Sequence, residues 1–423
     1  MTQRLNNIKE HLQNSLFEEP SIKQVKSKHP HDVVIVSAHR TAIAGGFKGS
    51  LKDVNTDYIL LQFLLQFIQH LPETLQNDLK QIQDITCGNV LNVGAGATEH
   101  RAAALAAGFP YDIPFNSINR QCSSGLTAVN DIANKILTGQ IDCGLALGCE
   151  SMSKNYKNIN ALGDISDSLK ANPMARKCLI PMGFTNENIA KQWGIDREIQ
   201  DKFAAESYQK AQVALDNSLF KNEILPIPLP SEDDENETEK NTKWFSKDEG
   251  PRPNVTKDSL SILKPAFIKD KGTTTAGNSS QVSDGAAGVL LMRRSLANKL
   301  GIPILGKYIA FQCVGVPPEV MGVGPAFAIP KVLEQVKLSI NDIDVFEINE
   351  AFAAQCVFCI NKLKIPMEKV NPRGGSIALG HPLGCTGARQ VATILNEMAT
   401  GQIGVVSMCI GTGMGAAAIF VKE

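Results

Sequence analysis

A chain of 423 residues exceeds one small core and implies two or three domains. With 43% apolar and 20% charged residues, and 42 basic against 43 acidic groups, it reads as a soluble globular protein with no overall field for nucleic acid or a membrane surface. Its 10 cysteines are scattered, without the dense spacing of a secreted disulfide framework, and read as reduced thiols.

Residues 1–31 form an arm unlike the rest of the chain. It has no apolar secretory core, and Glu10, Glu18 and Glu19 sit badly with a mitochondrial transit peptide. On a helix, Leu5, Ile8, Leu12 and Leu16 fall on one face, flanked by Arg4 and His11. The pattern Arg4-Leu5, five residues, His11-Leu12 resembles a type-2 peroxisomal targeting signal, which implies an import receptor as partner. A plain amphipathic arm is the alternative.

The β-branched run Val33 to Ser37 predicts a first strand, and residues 57–71 predict a largely buried helix. Gln62, Gln66, Gln69 and His70 interrupt that helix, so it is too polar to insert in a bilayer. Leu126, Val129, Ala133, Ile136 and Leu137 recur at helical spacing up to Gly139, a C′ residue, which puts Cys122 at a helix N-terminus. There the peptide dipoles favour a thiolate and should lower the thiol pKa. A strand over Gly144 to Gly148 closes this unit.

The stretch from Met152 to Val282 reads as an inserted, irregular domain, and its acidic run Glu232 to Glu235 as a solvated loop. A second rhythm comes after it: a strand Val345 to Ile348, a helix opening at Asn349-Glu350-Ala351-Phe352, and the loop N-P-R-G-G-S-I-A-L-G-H-P-L-G-C-T-G from Asn371 to Gly387. A helix carrying Ala388, Val391, Leu395 and Met398 and a strand Gly404 to Met408 ending at Cys409 complete it. Two halves of strand, catalytic turn, helix and strand suggest a duplicated α/β unit. The boundaries are then 32–151 with 283–303 for the first half, 152–282 for the loop domain and 304–423 for the second half.

His381 stands between Gly380 and Pro382, where the glycine permits close ligand approach, so it is a candidate base. Cys122, in N-R-Q-C-S-S-G-L, and Cys409, in C-I-G-T-G-M-G, have similar settings. A Cys and a His that converge in the fold generate a thiolate nucleophile, and a second cysteine adds one more proton carrier than a hydrolase needs. A buried structural cysteine is the plain alternative for each. G-T-G-M-G lacks the spacing of a dinucleotide loop. Cys356-x-x-Cys359 has no accompanying ligand pair, so no metal is expected.

N-R-Q-C-S-S-G-L, Asn349-Glu350-Ala351-Phe352, the His381 loop and C-I-G-T-G-M-G, in this order, resemble the thiolase family over almost all of residues 32–423. Pro181-Met182-Gly183 resembles its degradative branch rather than the biosynthetic acetoacetyl enzymes. The resemblance implies a layered α/β/α/β/α thiolase fold, a homodimer, and thiolysis of 3-ketoacyl-CoA by CoA, with CoA a co-substrate and no permanently bound cofactor. It implies Cys122 as nucleophile, His381 as base, Cys409 as proton carrier and Asn349 as holder of a water for the enolate. The N–H groups of Cys122 and Gly411 would receive the acyl oxyanion. Ser280 in T-T-A-G-N-S-S-Q-V-S-D-G-A would touch pantetheine, Arg252 and Ser259 the adenine end, and Met182, Met321 and Phe352 would wall the acyl tunnel. Glu350 reads equally as a carboxylate ordering the histidine or as a helix first-turn acid. The rival readings are an acetoacetyl-CoA thiolase and a non-catalytic CoA-binding relative.

Overall fold

The computed structural model describes residues 22–160, 165–230 and 242–423. The targeting residues Arg4, Leu5, His11 and Leu12 and the acidic run Glu232 to Glu235 lie outside the described residues.

The strands are β1 (Val33–Arg40), β2 (Ala44–Gly45), β3 (Ile85–Gly88), β4 (Phe115–Ile118), β5 (Cys143–Ser151), β6 (Ile227–Pro228), β7 (Trp244–Phe245), β8 (Ser283–Arg293), β9 (Gly306–Gly315), β10 (Val345–Ile348), β11 (Ile403–Ile410) and β12 (Met414–Lys422). The helices that matter for the site are α1 (Thr56–Gln69), α2 (Ala97–Ala106), α3 (Ser124–Leu137), α4 (Met182–Trp193), α5 (Arg197–Asp216), α6 (Gly324–Gln335), α7 (Ala353–Leu363) and α8 (Leu383–Glu397).

The duplication is visible in strand pairing. In the first half β4, β3 and β5 run parallel and β5, β8 and β1 alternate in direction. In the second, a parallel bridge from Val370 to Phe346 of β10 stands where β4 stood; β10 and β11 are parallel, and β11, β12 and β9 alternate. Val34↔Lys307 and Ile35↔Gly306 join β1 to β9 along the seam between the halves.

Strand alternation builds the layers, because successive side chains leave opposite faces. Leu145 and Leu147 of β5 pack outward with the apolar faces of α1 and α2, while Ala146 packs inward with Leu126, Val129 and Ile132 of α3. In the second half Val405 of β11 packs outward with α5, α6 and α7, and Val406 inward with Val391 and Leu395 of α8. Helices α3 and α8 are therefore the middle of five layers, covered by a sheet on each side. Among the described residues no helix is long and apolar enough to cross a membrane.

The stretch read as irregular holds two substantial helices, α4 of 12 residues and α5 of 20. Phe203, Ala204, Tyr208, Ala211 and Ala214 form a buried stripe on α5, and Asp196 caps it by accepting from Ile199 N. The charged face of the same helix masks this stripe in a composition count. The segment Asn349–Phe352 precedes α7 rather than opening it, with Phe352 at the N-cap. Cys409 lies within β11 rather than beyond its end.

Candidate active site

Glycine contacts between α3 and α8 bring the two catalytic loops together. A Cβ on Gly125 would come 2.6 Å from the Gly384 oxygen, and one on Gly387 would come 2.2 Å from Leu126 N, so the first turns of the two helices touch through bare backbone. Cys122 stands two residues before α3 and His381 two residues before α8. Both therefore reach the same end of the helix pair, where β11 delivers Cys409 and β10 leads into Asn349.

The turn before Cys122 is strained. Gln121 sits at φ 48, its N–H held by Asn119 Oδ1 at 3.0 Å and its carbonyl accepting from Ser124 Oγ at 2.7 Å. The result aims the Cys122 sulfur at the second glycine-rich loop, where the Gly411 N–H and its own favour negative charge on it. The two N–H groups expected to form an oxyanion hole thus converge beside the sulfur.

Burial overrides the helix dipole at this thiol. Cys122 keeps only 9% of its surface exposed. Desolvation pushes its pKa up to about 11, against the opposing pull of the Gly411 and Cys122 N–H groups. The expectation of a lowered pKa is corrected: the resting group is a thiol. Alkylation of Cys122 by iodoacetamide should keep accelerating about tenfold per pH unit above neutrality, since only the thiolate reacts. A plateau reached below about pH 8 would show the dipole winning after all.

His381 is positioned by a chain of hydrogen bonds with a determined sense. Thr386 Oγ1 donates to the Pro382 oxygen at 2.9 Å, so its lone pair must accept from His381 Nδ1, 2.7 Å away. That assigns the proton to Nδ1 and leaves a lone pair on Nε2. On the Nε2 side stands Asn349 Nδ2 at 3.3 Å, while Asn349 Oδ1 accepts from Ser376 Oγ at 2.6 Å. Ser376 Oγ in turn accepts from Arg389 Nη2 at 3.2 Å, and Arg389 is held by Glu347 at 3.2 Å. Burial, and secondarily the Arg389 charge, hold the imidazole down at about 3, so it is neutral at physiological pH and able to accept a proton.

Cys409 is fully buried, and burial together with the neighbouring Cys122 pushes its thiol well above its ordinary value. It is a protonated acid at rest. Met321 and Ala351 enclose it, with Met182 and Phe352 packed against them. All three residues expected to wall an apolar tunnel therefore surround this thiol. Phe267 and Phe184, which no motif marked, extend the wall: ring centroids lie 6.4 Å apart for Phe267 and Phe352 and 6.0 Å for Phe184 and Phe267. Gly183 makes room, since a Cβ there would meet the Phe267 ring at 2.2 Å.

Ser280 donates its N–H to the Ala351 oxygen at 3.0 Å, and Ala353 N–H bonds the Asn278 oxygen at 2.9 Å, which straps this loop to the Asn349–Phe352 segment. Arg252 and Ser259 are both exposed. The Ser259 hydroxyl is engaged in a capping box with Thr256, so its first role here is local.

Glu350 does not touch the histidine. It is buried and accepts from Ser207 Oγ at 2.6 Å, Asn371 Nδ2 at 2.8 Å and Ile377 N at 3.2 Å, tying α5 to the loop that carries His381. Glu150 does similar work on the other side: its carboxylate accepts from Val90 N, Leu91 N and Gly384 N at 3.0 to 3.2 Å. Thr386, Ser376, Arg389 and Glu150 carried no signal in the sequence beyond their place near a motif. A thiol nucleophile, a neutral base and a second thiol acid around one apolar wall can form and break a carbon–carbon bond next to a thioester.

Comparison with known proteins gives a consistent result. Residues 33–295 match the family description "Thiolase, N-terminal domain" and residues 302–422 match "Thiolase, C-terminal domain". The peroxisomal 3-ketoacyl-CoA thiolase of Saccharomyces cerevisiae is 65% identical over 100% of both chains. The peroxisomal 3-ketoacyl-CoA thiolase B of Candida tropicalis is 56% identical over 96% of this chain and 97% of that one. The crystal structure of the dimeric peroxisomal thiolase of Saccharomyces cerevisiae superposes with a TM-score of 0.91 at 67% identity, covering 95% of this chain and 100% of the other. Human mitochondrial 3-ketoacyl-CoA thiolase in complex with CoA superposes with a TM-score of 0.80 at 32% identity, covering 93% and 98%.

Proposed function

The chain belongs to the thiolase family, and from that premise we propose that its acyl transfer runs through Cys122, His381, Cys409, Asn349 and Gly411. It is an acyltransferase that cleaves a 3-oxoacyl-CoA with CoA into acetyl-CoA and a chain-shortened acyl-CoA, the last step of fatty-acid β-oxidation. It is peroxisomal and assembles as a homodimer, with CoA as a substrate.

In the first half-reaction the Cys122 sulfur bonds to the C3 carbonyl carbon while its proton passes to His381 Nε2. The two groups titrate far apart, at about 11 and about 3, so the transfer accompanies attack instead of preceding it. The Cys122 and Gly411 N–H groups receive the oxyanion. The C2–C3 bond then breaks and its electron pair becomes the acetyl-CoA enolate, stabilised by the His381 Nε2–H and a water held by Asn349. Cys409 gives its proton to C2, and acetyl-CoA leaves.

In the second half-reaction the Cys409 thiolate takes the proton of the incoming CoA thiol. The CoA sulfur attacks the acyl group on Cys122, and the departing Cys122 sulfur recovers its proton from His381. The observation that carries this reading is the Thr386–His381–Asn349 chain, which holds the proton on Nδ1 and keeps Nε2 unprotonated beside Asn349 Nδ2, at the end of the helix pair that also presents Cys122.

CoA would lie along Ser280 with Arg252 and Ser259 at its adenine end, and Met182, Met321 and Phe352 would line the acyl path. The chain would divide into two thiolase halves, 32–151 with 283–303 and 304–423, around a loop domain at 152–282 and behind a targeting arm at 1–31. Given CoA and medium- or long-chain 3-ketoacyl-CoA, the purified enzyme should release acetyl-CoA and an acyl-CoA two carbons shorter. Activity confined to the four-carbon substrate would instead make it an acetoacetyl-CoA enzyme.

Import would depend on Arg4, Leu5, His11 and Leu12 read by a receptor on one face of a short helix. Leu5→Arg or Leu12→Asp should leave the purified enzyme's rate unchanged and turn a fluorescent fusion cytosolic in cells lacking the wild-type chain. Continued peroxisomal fluorescence there would defeat this assignment.

A further inference from the structure

Two buried charges stand behind the enolate side of the site, and neither half-reaction gives them a role. Arg389 of α8 is 2% exposed and Glu347 of β10 is 1% exposed. Arg389 Nη1 donates to Glu347 Oε2 at 3.2 Å, while Glu347 Oε1 has no hydrogen-bond partner among the described residues. Taking both groups out of water is costly, and an apolar pair of similar volume is commonly as stable or more so. Stability is therefore a poor reason for the pair, and its position offers another.

Glu347 and Asn349 are alternate residues at the end of β10, so they share the face turned toward α8. On α8, Thr386 and Arg389 are three residues apart and lie on one face. Thr386 reaches His381 Nδ1, and Arg389 reaches Ser376, which in turn reaches Asn349. One helix face thus orients both groups assigned to the enolate.

The charged end sets the sense of the second chain, because a guanidinium only donates. Ser376 Oγ accepts from Arg389 Nη2 at 3.2 Å and passes its one proton to Asn349 Oδ1 at 2.6 Å. With Oδ1 engaged, Nδ2 is turned into the site, 3.3 Å from His381 Nε2. The opposite amide orientation would deprive the Ser376 proton of its acceptor and set Asn349 Oδ1 against the unprotonated Nε2.

We propose that Arg389 is a positioning residue for the enolate: through Ser376 it fixes the Asn349 amide with Nδ2 toward the enolate side, while acyl transfer to and from Cys122 proceeds without it. The inference rests on the roles given above to Asn349 and to the Cys122 and Gly411 N–H groups. Those N–H groups are backbone, and the hydrogen bonds of Arg389 and Ser376 lead to Glu347 and Asn349 instead. A chain of donors that begins at a cation polarises its last N–H, so its help grows as negative charge gathers on the enolate oxygen.

The test separates two reactions of the full-length homodimer with acetyl-CoA. Acetylation of Cys122, read by rapid acid quench and peptide mass, reports acyl transfer. Deuterium uptake at C2 of acetyl-CoA in D2O reports the enolate: the Cys409 thiolate, left when CoA departs with its proton, takes a C2 proton from the next acetyl-CoA and returns a deuteron after exchange with solvent. Arg389→Met and Ser376→Ala should each slow deuterium uptake by about 100-fold, the usual cost of one lost oxyanion donor, and leave acetylation within about threefold. Arg389→Lys keeps the charge and a donor, and should recover at least about tenfold over Arg389→Met. Asn349→Ala should show the same split, and adding Arg389→Met to it should slow uptake no further, since nothing remains to be positioned.

Full-rate uptake in Asn349→Ala defeats the role given to Asn349, and the proposal with it. A loss in Asn349→Ala with none in Arg389→Met overturns the proposal and leaves the role of Asn349 intact. So do equal losses of acetylation and uptake, the mark of a purely structural residue, or losses that add in the double variant. Should Arg389→Met fail to fold, since it leaves Glu347 buried without its partner, Ser376→Ala removes no charge and decides by the same two rates.

Discussion

Replacing Cys122 by alanine is expected to abolish thiolysis and acetyl exchange together while leaving the fold and its thermal transition in place. The hydroxyls that follow it are engaged elsewhere, Ser123 with Thr127 and Ser124 with the Gln121 oxygen, which leaves the sulfur as the group at this end of α3 placed to carry an acyl chain. Loss of a covalent nucleophile costs on the order of 10⁶-fold in turnover where it has been measured in comparable enzymes. The side chain is small and sits at the N-terminal edge of α3 rather than in its packed centre, so its truncation leaves a modest cavity at most. Steady-state rates on a 3-ketoacyl-CoA, alongside a melting curve, check both halves of the expectation. Retention of more than about 1% of activity would remove Cys122 from the nucleophile's role.

Cys409→Ala should separate the two thiols. Burial and the adjacent Cys122 keep Cys409 protonated at rest, so its part is to give a proton to the enolate and later to take one from CoA. Without it, Cys122 should still accept an acyl group, but turnover should fall by roughly 10²- to 10⁴-fold, the usual range for a lost general acid–base group. The measurement is a rapid acid quench followed by peptide mass analysis: acyl-Cys122 should accumulate in the variant. Absence of any acyl-Cys122 in Cys409→Ala would show that the two roles are not divided in this way.

Glycine and cysteine context carries far in a reading of the chain, because a residue flanked by glycines advertises its loop. Cys122, His381, Cys409 and Gly411 were legible on that ground, and the repeated strand–turn–helix rhythm pointed to the duplicated sheet. Helix α5 was not legible, since its buried stripe is written in alanines between charged residues, and a composition count sees only the charges. The raised pKa of Cys122 is hidden for a related reason: a helix N-terminus is local and visible in the sequence, while the burial that desolvates the sulfur is tertiary. Thr386, Ser376 and Arg389 fix the tautomer and orientation of His381 only once α8 folds back against β10. Phe184 and Phe267 join the apolar wall by tertiary contact alone. Glu350, read either way in the sequence, proved to order the histidine's loop without touching the ring.

The division of labour rests on acyl transfer through one sulfur. Soaking the enzyme with acetyl-CoA and determining the structure tests it most directly. An acetyl group should appear on the Cys122 sulfur, its carbonyl oxygen between the Cys122 and Gly411 N–H groups, with His381 still bonded to Thr386 and Asn349. Acetyl density on Cys409, or intact acetyl-CoA bound with an unmodified Cys122 in an active crystal, would contradict it.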